Sequence, residues 1–245
     1  MMVETQKISL LRPDGRRLDG RALDELRPLS IKAGVLKRAA GSAMVEWGKN
    51  KVIAAVYGPR EVFPKHLTNP YDALIQARYI MAPFSGAEEH GRSGPNRRSL
   101  EISKVAKHVF QNVVLTNQFP KTMINVNMEV LQSDGGTRIA GITAASVALA
   151  DAGIPMKDLV CGVSVGKIDG KLAVDLDKIE DNEGASDIPI IVSTRSREVL
   201  LFQMDGLLSQ DDVSQAVDMV FEAAEKIKAL QVEALRAKYG QGDVE

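Results

Sequence analysis

The chain has 245 residues, 44% of them hydrophobic and 26% charged, enough apolar material for a packed core and too much for a disordered or fibrous protein. The longest apolar run, Ile139 to Ala150, falls short of the ~20 residues a bilayer span needs, and with Cys161 as the single cysteine no internal disulfide forms; a soluble cytoplasmic protein is expected. A net charge of -1 conceals segregation: residues 1–60 hold 12 basic and 6 acidic side chains and residues 171–245 hold 8 and 16, so a basic groove and an acidic cluster can share one molecule.

In chain order, residues 29–84 read as strands, with a hairpin of Ser42–Trp47 and Lys51–Tyr57 about a Gly48-Lys49-Asn50 turn. A polar loop over 85–96 precedes Ile102, Val105, Val109, Phe110 and Val113, whose spacing predicts a helix from Arg97 to Leu115. Ile124, Val126, Met128 and Val130 alternate with polar residues as a half-buried strand does. An Ala-rich buried helix follows over 139–152, then a hairpin about Asp169-Gly170, a second hairpin from Ile188 to Met204, and a helix capped by Ser209 and Asp212 that runs toward Gly240. Strands followed by a helix occur twice, which predicts an α/β (α+β) fold of two similar β-rich halves with packed helices. Their expected extents are 12–148 and 149–239, with flexible termini at 1–11 and 240–245.

Three groups of residues suit chemistry. Ser133-Asp-Gly-Gly-Thr-Arg138 sets two glycines between a strand and a helix, a pattern that serves a phosphate site and equally an ordinary turn with Thr137 as N-cap. Arg97 and Arg98 open a helix where the macrodipole disfavours cations, and with Arg60, Lys65 and His66 they suit either a bound polyanion or a solvated surface. Asp175, Asp177, Glu180, Asp181, Glu183 and Asp187 crowd together, so a cation, a metal or a basic wall must offset their repulsion unless the segment is a solvated loop. His66, His90 and His108 lack metal-ligand spacing, and Cys161 reads as core. With 4% aromatic residues, a stacking platform for bases is not expected.

The motifs Asp14–Arg21, Gly34–Arg38, Ala54–Glu61, Arg97–Ser103, Val130–Arg138, Ala150–Met156, Glu180-Asp181 and Ala185–Asp187 occur in the order found in the RNase PH family, which the chain resembles over about residues 12–239. The runs Gly34–Arg38, Gly184–Pro189 and Leu201–Gly206 are most similar to catalytic subunits of archaeal exosome rings; Ser186 departs from the family's usual alanine. The resemblance implies a phosphorolytic 3′-to-5′ exoribonuclease that degrades single-stranded RNA with inorganic phosphate as co-substrate, and Mg²⁺ is expected. It implies Gly136, Thr137 and Arg138 at the phosphate, Arg97 and Arg98 on the RNA backbone, and Arg60, Lys65 and His66 along the channel by which RNA enters. Asp181 and Asp187 match the family's catalytic carboxylates: Asp181 with a raised pKa would protonate the departing 3′ oxygen, or both would hold the metal. The implied partners are a homologous non-catalytic RNase PH-like subunit in a hexameric ring and RNA-binding cap subunits. A tRNA-trimming homohexamer and a non-catalytic RNA-binding ring subunit are the alternatives.

Overall fold

The computed structural model describes residues 9–86 and 96–240; His90 and most of the polar loop expected over 85–96 fall outside the described residues. Strands β1 (Leu29–Ala33), β2 (Gly41–Trp47), β3 (Asn50–Glu61), β4 (Leu74–Met81) and β5 (Thr122–Gln132) form one sheet in the order β1-β2-β3-β5-β4. Only β4 and β5 run parallel, and a parallel pair needs a crossover. Helix α1 (Arg97–Val113) supplies it and packs on β4. The second sheet has β7 (Lys171–Val174), β6 (Val160–Ile168) and β8 (Ser186–Ser193) side by side. Two short strands, β9 (Glu198–Phe202) and β10 (Asp205–Gly206), pair in turn along the outer edge of β8.

Between residues 139 and 149 helix α2 (Thr137–Asp151) has apolar or small side chains on every side, so this stretch offers no face to water and must be enclosed. It packs against β2, β3 and β5 of one sheet and β6 of the other. A Cβ on Gly41 would lie 2.2 Å from the Ala152 backbone nitrogen, which shows how closely β2 approaches the helix end. The boundary expected between residues 148 and 149 therefore falls inside a helix shared by both sheets. Helix α4 (Gln210–Tyr239) buries Ala216, Val220, Ala224 and Ile227 against β6 and β1 and opens with the expected Ser209–Asp212 capping box. At its other end Tyr239 Oη donates to Asp151 Oδ1 at 2.8 Å, and Gly240 caps it.

Of the N-terminal segment expected to be flexible over 1–11, residues 9–11 are described. Leu10 is buried with Ile168, Ala173 and Leu176, and the N–H groups of Leu10 and Leu11 donate to Asp169 Oδ2 at 2.7 and 2.9 Å. The acidic stretch also holds a short helix, α3 (Lys178–Glu183), that its charge pattern conceals.

Candidate active site

Gly135 and Gly136 both adopt positive φ, 72° and 69°, and turn the chain from β5 into α2. Gly136 takes the N-cap position without a side-chain cap, so Thr137 is the first helical residue rather than the cap. The first N–H groups of a helix have no carbonyl within it, and here they stay available to an anion. Asn50, the first residue of β3, grips the loop by accepting from Asp134 N at 2.6 Å and donating to Gly135 O at 2.6 Å. Arg27 Nη1 donates to Asp134 O at 2.5 Å. Buried Tyr79 on β4 donates its hydroxyl to Thr137 Oγ1 at 2.8 Å, which leaves the Thr137 hydrogen free to point elsewhere.

The six crowded acidic residues divide into two sets. Arg17, 0% exposed, pairs with Glu180 and donates to the carbonyls of Val174 and Asp175. The Asp175 carboxylate accepts from Arg27 Nη2 at 2.6 Å, from Arg27 N at 2.7 Å and from Trp47 Nε1 at 3.0 Å. Asp177 caps α3 in a capping box with Glu180. Much of the basicity expected to form a groove is thus buried: Arg17, Arg21 and Arg27 are the wall that offsets Asp175 and Glu180. A Cβ on Gly135 would come within 2.7 Å of the Asp177 carbonyl carbon, so the glycine loop rests directly on the start of α3.

Glu183 is exposed at the end of α3 outside the cavity lining, and Asp181 and Asp187 remain for chemistry. They face a cavity of about 580 Å³ lined also by Arg98, Glu101, Gly136, Thr137, Arg138, Ser164, Gln203 and Asp205. One wall is the first turn of α2, another the first turn of α1, and the floor is β8 with α3. The structure thus brings Arg98, Gly136, Thr137, Arg138, Asp181 and Asp187 together. Arg97 is exposed and outside the cavity lining, and Arg60, Lys65 and His66 are exposed elsewhere. Arg60 pairs with Met123 at the start of β5, about nine residues or roughly 30 Å from the glycine loop at its end. Sequence reading missed Arg27, Asn50, Tyr79, Glu101 and Gln203, although Glu101 stands inside the Arg97–Ser103 motif. Cys161 is core as expected, its thiol pushed up to about 12 by burial.

The structure raises the pKa of the Asp187 carboxyl. Burial, and then the negative charge of Asp181, push Asp187 up to about 7 from 3.8, against the pull of Ser164 and Arg138. The folded chain then binds this proton more tightly than the unfolded chain, so its stabilisation is complete below about pH 4 and lost as pH rises through about 7. Asp19 and Asp158, held low despite burial by bonds from Arg21 and Lys228, act with the opposite sign and finish titrating near pH 4. In metal-free buffer the thermal midpoint should therefore fall between about pH 5 and pH 8, and Asp187→Asn should flatten that slope. A slope unchanged in the variant would show that Asp187 is not its source.

Fold and cavity together define a class. Residues 25–155 match domain 1 and residues 158–223 match domain 2 of the 3′ exoribonuclease (RNase PH) family, and the chain belongs to that family. Its class is that of a phosphorolytic 3′-to-5′ exoribonuclease. It is 51% identical over 242 residues to the exosome complex component Rrp41 of Thermoplasma acidophilum, covering 99% of this chain and 97% of that protein. Among solved structures, rice Rrp46 matches with a TM-score of 0.81 at 27% identity, covering 90% of this chain and all of that one. The Archaeoglobus fulgidus exosome with RNA bound to the active site shares the fold, with a TM-score of 0.76 at 24% identity over 92% of this chain and 93% of that one. Among the described residues no helix is long and apolar enough to cross a membrane.

Proposed function

We propose that this cavity holds the 3′ end of single-stranded RNA beside an inorganic phosphate. In this reading the chain is the catalytic member of a hexameric ring, formed in the cytoplasm with a homologous non-catalytic RNase PH-like subunit and topped by RNA-binding cap subunits. The observation that carries the reading is the meeting, in one cavity, of an anion-accepting helix start with Arg98 and Arg138 on one side and two carboxylates on the other. A non-catalytic ring subunit has no need of both halves. The high identity to Rrp41 over nearly the whole chain favours the exosome over a tRNA-trimming homohexamer.

Phosphate binds at the N–H groups of Gly136, Thr137 and Arg138, with the free Thr137 hydroxyl hydrogen and the Arg138 guanidinium completing the shell. A phosphate oxygen attacks the terminal phosphorus, the bond to the penultimate 3′ oxygen breaks, and a nucleoside 5′-diphosphate leaves. No side-chain nucleophile is required, so the residues contribute position and charge. Arg98 and Arg138 offset the repulsion between two anions. Asp181 and Asp187 serve the departing 3′ oxygen, which must gain a proton. Arg97 holds the RNA backbone just outside the cavity, and Arg60, Lys65 and His66 guide the strand at the remote end of the first sheet.

Mg²⁺ fits the carboxylate pair. Two oxygen-donor groups face each other and Asp187 Oδ1 is buried without a hydrogen-bond partner, while a hard cation of this kind takes one or two carboxylates and completes its shell with water and phosphate oxygens. Among the described residues no third His, Cys, Asp or Glu joins them to make a full protein cage. When bound, the ion would supply positive charge to the leaving oxygen.

The test is phosphorolysis of labelled single-stranded RNA by the assembled ring, with and without phosphate. Nucleoside diphosphates should appear only with phosphate, and excess diphosphate should extend the RNA. Release of monophosphates in phosphate-free buffer would refute the reading.

A further inference from the structure

We propose that Gln203 and Glu101 are positioning residues that aim the Arg138 guanidinium at the bound phosphate without neutralising it. This rests on the reading above, in which Arg138 binds that phosphate. Gln203 lies between β9 and β10, and its backbone N–H donates to Pro189 O at 3.3 Å, two residues along β8 from Asp187. Its side-chain carbonyl accepts a hydrogen bond from Arg138 Nη1. Its amide nitrogen donates to Glu101 Oε1 at 3.0 Å, and Glu101 stands one turn after Arg98 on α1. One chain of bonds therefore ties together α2, the β9–β10 turn and α1, three of the elements around the cavity.

The chemistry explains why an amide stands in the middle. A carboxamide is neutral yet carries an acceptor and a donor at the same tip, so it bonds a guanidinium with its oxygen and a carboxylate with its nitrogen. A carboxylate in its place would pair with Arg138 directly and oppose an incoming phosphate. Glu101 itself stays 4.0 Å from Arg138 Nη1 and is half exposed, an arrangement that neutralises little. With one of its five N–H donors used by Gln203, the guanidinium keeps four for the oxyanion. Its long side chain is already ordered when phosphate arrives, so less rotamer freedom is lost on binding.

The experiment measures phosphorolysis of single-stranded RNA by the assembled ring as a function of phosphate concentration. Gln203→Met keeps length and removes both bonds; it should raise the phosphate KM about tenfold, the scale of one lost bond to a charged group. At saturating phosphate, kcat and the RNA KM should stay within about twofold of the parent. Gln203→Glu should raise the phosphate KM further, because it adds the neutralising charge. Glu101→Gln, which still offers an acceptor to Gln203, should raise the phosphate KM less than Glu101→Ala does. Arg138→Ala serves as the control. If it leaves the phosphate KM unchanged, the phosphate reading itself fails. If it raises that KM while Gln203→Met does not, the positioning inference is overturned and the phosphate reading stands. A fall in kcat alone, or an equal rise in the RNA KM, also overturns the inference. Should Gln203→Met lower the melting midpoint too far for assay, Glu101→Ala breaks the same chain at its other end and carries the same expectation in weaker degree.

Discussion

Asp181→Asn should lower phosphorolytic turnover by about a hundredfold to ten-thousandfold, the range that a positioned acid–base group contributes, with RNA affinity nearly unchanged. The side chain is exposed at the cavity and its removal disturbs no fold element, because Asp177 and Glu180 form the cap of α3. Asparagine preserves shape while removing the carboxylate that would serve the departing oxygen or hold a metal. It also removes one negative charge from a site that must admit two anions, so binding has no reason to weaken. Single-turnover phosphorolysis paired with equilibrium RNA binding by fluorescence anisotropy separates the two effects. Equal losses in both would make Asp181 a binding residue and refute the assignment.

The largest stability effect should come from Asp175→Ala, which is expected to cost about 3–5 kcal/mol, the scale of breaking a buried ion pair by removing one partner. Asp175 is 2% exposed and sits at φ 59°, a conformation that alanine adopts poorly. Its loss strands the Arg27 guanidinium without its close counter-ion and leaves the Trp47 indole N–H without an acceptor. Because Arg27 also bonds the Asp134 carbonyl, the glycine loop should loosen as well, and phosphate affinity should fall with stability. Urea denaturation measures the first effect; a midpoint shift worth less than about 1 kcal/mol at unchanged m-value would show that the cluster contributes little. Asp175→Asn keeps the shape and tolerates the left-handed backbone, so it should lie between the two.

These outcomes describe one design. A buried lattice of arginines and acids, Arg17 with Glu180 and Arg27 with Asp175, locks the glycine loop against α3. Asp181 and Asp187 of the same acidic stretch are then left facing the helix start that suits phosphate. Repulsion within the stretch is relieved on one side by arginine, and on the other it helps push Asp187 up to about 7.

Local signals in the sequence reached much of this. The turns at Gly48 and at Asp169-Gly170, the Ser209–Asp212 cap, the alternation over 124–130 and the apolar run of α2 each rest on neighbours a few residues apart, and each appears where expected. The same holds for the Ser133–Arg138 loop, whose glycines mark the backbone turn they make. Only the tertiary structure decided which charges serve the fold and which face the cavity. Arg17 meets Glu180 across 163 residues and Arg27 meets Asp175 across 148, and no periodicity marks a pairing at that range. An arginine reads the same in sequence whether water or a buried carboxylate surrounds it, so its role follows from desolvation, which depends on how the two sheets close around α2. Gln203 is the same case: its amide acquires a function only because the β9–β10 turn carries it between Arg138 and Glu101.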